Sequence, residues 1–357
     1  MNLNSKRKKV MLIGPSPSIT GGISTWTQAL LKSDNEKYEF LLVDSSFGPK
    51  GRPRNRILLL AKEIIRTLRI WHNVNSILKN QQISIVHSSS PSSKNALWRE
   101  MKNAKLAKRH GSKFVLHIHC TVEEFLGGAR GMKMLKRISQ YVDGFIVLNE
   151  QSAVFLNKHL PHANIVKIPN FIEKKYIAVD RGVNERISNV VFVSRVQRKK
   201  GIYEYLKLAK HFPSATFYVI GPIIEKLPEI HIYPNVVFTG TLSRDEIIRY
   251  LDFCDLFVFL THYQEGFPMV VLEAMSRGIP QLLSNNETLR EISENKGGVL
   301  VDYKNINEVI EAFDYLDKNI SIREEMVHFN LLKTSNDYER EYVISCLIRF
   351  YDKLIIK

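Results

Sequence analysis

The feature that most constrains this chain is an alternation, run through twice, of short apolar stretches with stretches of helical periodicity. Runs at 10–13, 40–43, 83–87, 113–118, 144–148 and 165–168 have the length and composition of buried strands. Between them apolar residues recur at helical spacing, as at Leu97, Met101, Ala104 and Ala107, with Ser92 or Ser93 available as an N-cap. This rhythm implies a mostly parallel sheet covered by helices on both faces, with ligands approaching the carboxyl ends of the strands. Pro169-Asn170 marks a break, and residues 174–189 are polar without a clear period, which predicts a linker near 169–188. The rhythm then resumes, with strands at 189–193, 215–220, 235–238, 256–260, 280–283 and 298–301 and helices near 201–211, 243–253, 268–277, 286–293 and 305–316. The last segment, 338–354, is amphipathic, with Val343, Cys346, Leu347, Phe350, Tyr351 and Leu354 on one side. The expected architecture is α/β: two Rossmann-like, doubly wound domains, residues 1–168 and 169–337, facing across a cleft, with a terminal helix over 338–357 crossing back to the first.

A length of 357 residues agrees with two domains. Charge is unevenly shared between them. Residues 1–168 hold 27 Lys and Arg against 10 Asp and Glu, a net +17, whereas residues 169–357 hold 24 against 26, a net −2. A basic first half and a nearly neutral second half are expected to meet different partners, the first facing something anionic. Lys6, Arg7, Lys8 and Lys9 precede an apolar run far too short for a signal or a membrane span, and no stretch reaches the roughly 20 apolar residues of a spanning helix. Cys120, Cys254 and Cys346 lie far apart with no metal-ligand spacing. A cytoplasmic, reduced protein without disulfides is the expectation.

The densest local pattern runs from Cys254 to Pro280. An apolar strand leads into Glu265-Gly266-Phe267-Pro268, a helix carries Glu273-Ala274-Met275, and Gly278-Ile279-Pro280 follows; seven residues separate the two glutamates. Gly266 frees the loop sterically and Pro268 suits the first turn of a helix, about five residues before Glu273. A helix amino end offers amides and a positive dipole to a diphosphate or a sugar, and two carboxylates can accept hydrogen bonds from sugar hydroxyls. Taken singly, Glu265 reads equally as a helix cap and Glu273 as a solvated helix residue.

The whole string resembles the glutamate-x7-glutamate signature of glycosyltransferase family 4, and the likeness extends along most of the chain. Phe192-Val193-Ser194-Arg195-Val196 followed by Lys199-Lys200-Gly201 is similar to the family's strand, arginine and Lys-Gly element. Tyr218-Val219-Ile220-Gly221-Pro222 and Val236-Val237-Phe238-Thr239-Gly240 resemble its next strand-glycine turns. Gly21-Gly22, His119 and Phe145-Ile146-Val147-Leu148-Asn149 fall in the family's order in the first half.

The resemblance implies a GT-B fold and retaining transfer from a nucleoside-diphosphate sugar, UDP being the commonest carrier. It implies that Arg195 and Lys200 stabilise the departing diphosphate, by planar bidentate contacts and by a compact charge respectively. Glu265 and the amides of Gly266, Phe267 and Met269 would hold the donor sugar and distal phosphate, and Glu273 the ribose hydroxyls. Gly21 and Gly22, just before a helix starting near Ile23, would let backbone approach the diphosphate or acceptor, and Gly221 shapes a turn near the nucleotide. His119 matches the histidine that contacts the donor sugar near the bond that breaks; His117 and His119 are expected on opposite faces, so that one alone fills that role. No Asp-x-Asp occurs, so no catalytic metal and no cofactor are expected. Ser194, Asn149 and Gly221-Pro222 depart from the family's usual residues near the expected nucleotide site.

The implied acceptor is a saccharide, lipid-pyrophosphate-linked, in surface polysaccharide assembly; a soluble acceptor on the same fold is the alternative. A nucleic-acid-binding reading of the basic half is disfavoured, since aromatic stacking residues are not interleaved with the cations and no known module appears. An anionic membrane surface is the expected partner of that half, at the inner face of the cell membrane. Arg52, Arg54 and Arg56 precede an apolar helix running through Ile57, Leu58, Leu59, Leu60, Ile64, Ile65, Leu68, Ile70 and Trp71 with Lys62, Arg66 and Arg69 interspersed. Arg99, Lys102, Lys105 and Lys108, and Arg130, Lys133, Lys136 and Arg137, would assist.

Overall fold

The computed structural model describes residues 7–19, 21–47, 55–90, 94–226 and 233–356. Ser92, Ser93, Arg52 and Arg54 lie outside them. In chain order the elements are β1 (Lys8–Gly14), α1 (Gly22–Leu31), β2 (Tyr38–Asp44), α2 (Arg56–Asn80), β3 (Ile85–Ser90), α3 (Lys94–Arg109), β4 (Lys113–Ile118), α4 (Val122–Leu126), α5 (Ala129–Ile138), β5 (Gly144–Val147), α6 (Glu150–His159) and β6 (Ile165–Lys167). There follow β7 (Asn189–Val193), α7 (Ile202–His211), β8 (Thr216–Ile220), β9 (Val236–Gly240), α8 (Arg244–Phe253), β10 (Leu256–Phe259), α9 (Met269–Ser276), β11 (Gln281–Ser284), α10 (Glu287–Ser293), β12 (Gly298–Val301), α11 (Ile306–Lys318), α12 (Ile320–Asp337) and α13 (Arg340–Ile356).

Two compact units result: residues 1–169 with 344–357, and residues 170–343. Each holds a parallel sheet of six strands among the described residues, in the orders β2-β1-β3-β4-β5-β6 and β12-β11-β10-β7-β8-β9. Central strands such as β5 and β10 are buried along their whole length, as expected of parallel strands covered on both faces. In each sheet the strand order reverses at one place, between β1 and β3 in the first and between β7 and β10 in the second. Loops leaving the carboxyl ends of the strands diverge there, and the gap between them is where ligands bind in open α/β sheets.

Local chemistry accounts for several boundaries. Asn55 accepts from the amides of Ile57 and Leu58 and starts α2, and a reciprocal capping box between Ser243 and Glu246 starts α8. Asn149, which stands where the family usually has serine, caps α6 through the Ser152 amide, so its departure serves the helix start in the first unit.

Residues 177–188 are irregular, yet they are pinned to the second unit and do not hang free as a linker. The Ala178 amide donates to Ser276 O at 2.8 Å, and the Arg181 guanidinium donates to the carbonyls of Leu251, Arg277 and Cys254. Fully buried Arg323 donates to Asn184 O and Glu185 O. Arg323 belongs to α12, a helix that periodicity did not disclose because Asn330, Thr334 and Arg323 itself are among its buried residues.

Candidate active site

In the second unit, the loop after β7 and the loop after β10 meet at the strand-order reversal. Lys200 closes a short 3-10 turn, and its Nζ donates to Glu265 Oε1 at 2.6 Å. The same oxygen accepts from Thr261 Oγ1 at 2.7 Å, and the Glu265 carbonyl accepts from Thr288 Oγ1 of α10 at 2.8 Å. Both charged side chains are largely withdrawn from water, 12% and 15% exposed, so the pair is a held cation beside a held carboxylate and not a loose surface contact. Gly201 makes the turn possible. It is left-handed (φ 82°), and a Cβ there would sit 2.1 Å from the Leu260 carbonyl oxygen.

Arg195 lies on the same loop with an exposed side chain. Its backbone is clamped from β8: Ser194 N donates to Ile220 O at 3.0 Å and Val196 N to Pro222 O at 2.9 Å. Gly221, at φ 137°, lets β8 pass so close that a Cβ would meet Ser194 O at 2.0 Å. Gly221-Pro222 thus shapes the arginine loop without the second glycine.

Pro268 is the N-cap of α9 and Met269 its first residue, one position later than a first-turn proline. Gly266 and Met269 are half-buried; Phe267 is buried edge-to-face on Tyr338 at 5.6 Å, and its carbonyl accepts from Asn170 Nδ2 at 2.7 Å. Glu273, fifth in α9, is buried and paired, not solvated: Arg244 Nε lies 3.1 Å from its Oε1. Arg244 also approaches Glu173 at 3.6 Å and lies over the Tyr176 ring at 4.4 Å. Burial pushes the Glu273 carboxyl above the usual range, and Arg244 pulls against that shift.

The first unit supplies a separate group at its own strand-order reversal. Gly21 is the N-cap of α1, accepting from Ser24 Oγ at 2.7 Å, and Gly22 is the first helical residue. Trp26 of α1 lies edge-on to His117 at 4.9 Å and to His119 at 6.4 Å. The two histidines do not diverge: their rings lie 3.9 Å apart, because residues two apart in a strand share a face and His119 continues just past β4. His119 N donates to Ser90 O at 3.1 Å, which holds it beside the end of β3. Burial pushes His119 down to about 3, with the nearby His87 adding to the effect.

Sequence reading missed Thr261, Arg244, Asn170, His87 and Tyr351. A helix near 243–253 was legible in the sequence, but nothing in it pointed Arg244 at Glu273.

A model described as Glycosyltransferase Family 4 matches residues 20–176, and one described as Glycosyl transferases group 1 matches residues 176–329. An alpha-galactosylglucosyldiacylglycerol synthase of Streptococcus pneumoniae is 24% identical over 220 residues, 54% of this chain and 56% of that protein. The chain thus spans about half the length of that relative. The UDP-Gal:alpha-D-GlcNAc-diphosphoundecaprenol alpha-1,3-galactosyltransferase of Escherichia coli is 24% identical over 322 residues, 78% of this chain and 80% of that protein. Among solved structures, sucrose-phosphate synthase from Thermosynechococcus elongatus superposes with a TM-score of 0.79 at 15% identity, over 98% of this chain and 100% of that one. Two parallel sheets with the described loops, two matched models that adjoin and together cover residues 20–329, and these likenesses agree: the chain belongs to glycosyltransferase family 4 and has the GT-B fold.

Proposed function

We propose that this chain transfers a sugar from a UDP-sugar to a lipid-pyrophosphate-linked saccharide, with retention and without a metal, in surface polysaccharide assembly. The observation that carries the reading is the Lys200–Glu265 pair at the strand-order reversal of the second unit. An ammonium has three donors and Glu265 occupies one, so the others are oriented in advance toward a departing diphosphate. Arg195, on the same loop, adds bidentate contacts. The amides of Gly266, Phe267 and Met269 and the amino end of α9 favour the sugar and distal phosphate, and Glu273 takes the ribose hydroxyls. In the first unit Gly21, Gly22 and His119 serve the diphosphate and the sugar. The acceptor oxygen attacks C1 from the side of the leaving group; as the C1–O bond to phosphate breaks, a phosphate oxygen takes the acceptor proton. The names of the Streptococcus and Escherichia coli relatives, which refer to a glycolipid and a diphosphoundecaprenol acceptor, support the lipid-linked acceptor.

The outer helical layer of the first unit supports docking on an anionic membrane, which would place the protein at the inner face of the cell membrane. Among the described residues no helix is long and apolar enough to cross one. Incubation of the purified protein with UDP-sugars and lipid-pyrophosphate saccharides in EDTA tests the whole reading. An α-linked product on the lipid acceptor is expected. Transfer to soluble saccharides alone, recovery only on adding a divalent metal, or an inverted product would each overturn the corresponding part.

A further inference from the structure

A buried hydrogen-bonded chain ends on the ring that His119 packs against. Tyr351 of α13 is fully buried, and its Oη lies 2.6 Å from His87 Nδ1. His87 Nε2 in turn lies 3.3 Å from His117 Nδ1. His87 and His117 are 1% and 0% exposed, and the Nε2 atoms of His117 and His119 are enclosed without a partner among the described residues. The rings do not gather round a common point: among the described residues no group of three His, Cys, Asp or Glu is placed to hold a metal ion.

Counting protons sets the direction of the chain. A neutral imidazole has one N–H and one acceptor nitrogen. If Tyr351 donates to His87 Nδ1, His87 carries its proton on Nε2, donates to His117 Nδ1, and leaves His117 protonated on Nε2. One buried donor, His117 Nε2–H, is then unmet. In the reverse direction both the Tyr351 hydroxyl hydrogen and the His117 Nε2 lone pair are unmet. Unmet buried polar groups are costly, so the first direction prevails. Burial disfavours the charged form of all three rings, which keeps the count at one proton each.

We propose that Tyr351 and His87 are positioning residues that hold His117 as its Nε2–H tautomer, so that His119, packed at a tilt on that ring, is held in one fixed setting toward the sugar substrate. The second half of this statement rests on the proposed role of His119; the first does not. The tautomer of a histidine is set by the hydrogen bond its other nitrogen makes, and removing such a partner from a functional ring costs about 10- to 100-fold in the metal sites where it has been measured.

The test is ring-nitrogen NMR of the full chain labelled with 15N-histidine, read beside transfer kinetics. Wild type is expected to show His87 and His117 each as a single Nε2–H tautomer. Tyr351→Phe, which removes only the hydroxyl, is expected to mix the tautomers of both rings and lower kcat about tenfold or more. His87→Gln keeps an acceptor for Tyr351 and a donor for His117, and should retain the His117 tautomer and most of the activity; His87→Leu should lose both. A Tyr351→Phe variant with wild-type His117 signals would overturn the proposal, as would a Gln variant no better than Leu. If His87→Leu does not fold, Tyr351→Phe still decides. A wild-type protein that transfers no sugar would count against the proposed function, while the ring signals would still judge the relay.

Discussion

At the scale of single residues, the site separates groups that look equivalent in sequence. Lys200 is half-buried against Glu265 and Arg195 is exposed, though both are expected to face the diphosphate. Either Arg195→Ala or Lys200→Ala should lower turnover by about 10²–10³, the scale of losing one preorganised contact to developing charge. Only Lys200→Ala should also cost stability in urea denaturation, by less than the about 3–5 kcal/mol lost when one member of a fully buried pair is removed, because both side chains keep some exposure. Wild-type turnover in either variant would mean the diphosphate lies elsewhere. The two glutamates should divide differently: Glu273→Ala weakens binding of free UDP, whereas Glu265→Gln spares it and slows transfer, and equal loss of UDP affinity in calorimetry would refute the division. The pH dependence has a definite sign. His119, held down at about 3, contributes stability that is present above its unfolded value near 6.5 and is lost as pH falls toward about 3. Its ring is therefore neutral from pH 5 upward, and a pH–rate profile in which His119→Gln abolishes a limb near pH 6.5 would contradict this.

At the scale of elements, α2 is divided along its length. Ile70, Trp71, Val74 and Leu78 are buried, whereas Ile57, Leu58, Leu60, Ile64, Ile65 and Leu68 are exposed, Ile57 at 83%. The part of the apolar face that covers the sheet thus starts at Ile70. The helices α2, α3 and α5 pack side by side, and Lys102, Lys105, Lys108, Arg130, Lys133, Lys136 and Arg137 are exposed on the latter two. Arg99 is not part of that surface, because it is buried in an ion pair with Glu100 at 2.6 Å. Arg66 and Arg69 donate to the carbonyls of Ser45 and Ser46, Arg66 half-buried and Arg69 still exposed. Exposed aliphatic side chains flanked by cations, each worth about 1 kcal/mol near an anionic surface, favour interfacial docking. Replacing Ile57, Ile64 and Ile65 with serine should weaken binding to anionic liposomes, with donor hydrolysis unchanged. High salt should weaken binding of the wild type, since exposed charges are screened over about 8 Å at physiological ionic strength. Equal sedimentation with neutral and anionic liposomes would rule out the docking role.

At the scale of the whole molecule, the chain is not two consecutive blocks, since residues 344–357 group with the first unit. Tyr351 and Leu354 of α13 are buried, Asp352 binds Lys37 and Tyr38, and a Cβ on Gly144 would meet the Phe350 ring at 2.5 Å. Ending the chain at Val343 removes several large buried side chains, each worth about 2–5 kcal/mol when truncated to alanine. Hydrogen exchange is expected to show β2 and β5 deprotected while β7 to β12 remain protected. Uniform loss across both sheets, or none, would contradict this division.

The alternation of apolar runs and helical periods determined the strands, their parallel direction and the two sheets, because burial on both faces writes itself into each strand locally. Glu265, Glu273, Arg195 and Lys200 were marked by the resemblance of their surrounding strings to the family 4 pattern, each string lying along a single loop or helix. The pairings were decided only in three dimensions. Lys200 and Glu265 are 65 residues apart, Tyr351 and His87 are 264 apart, and Arg244 reaches Glu273 from another helix. Periodicity reports which side of an element is buried and not what it is buried against. That depends on strand order, which places the loops after β7 and β10 side by side, and on α13 returning to the first sheet.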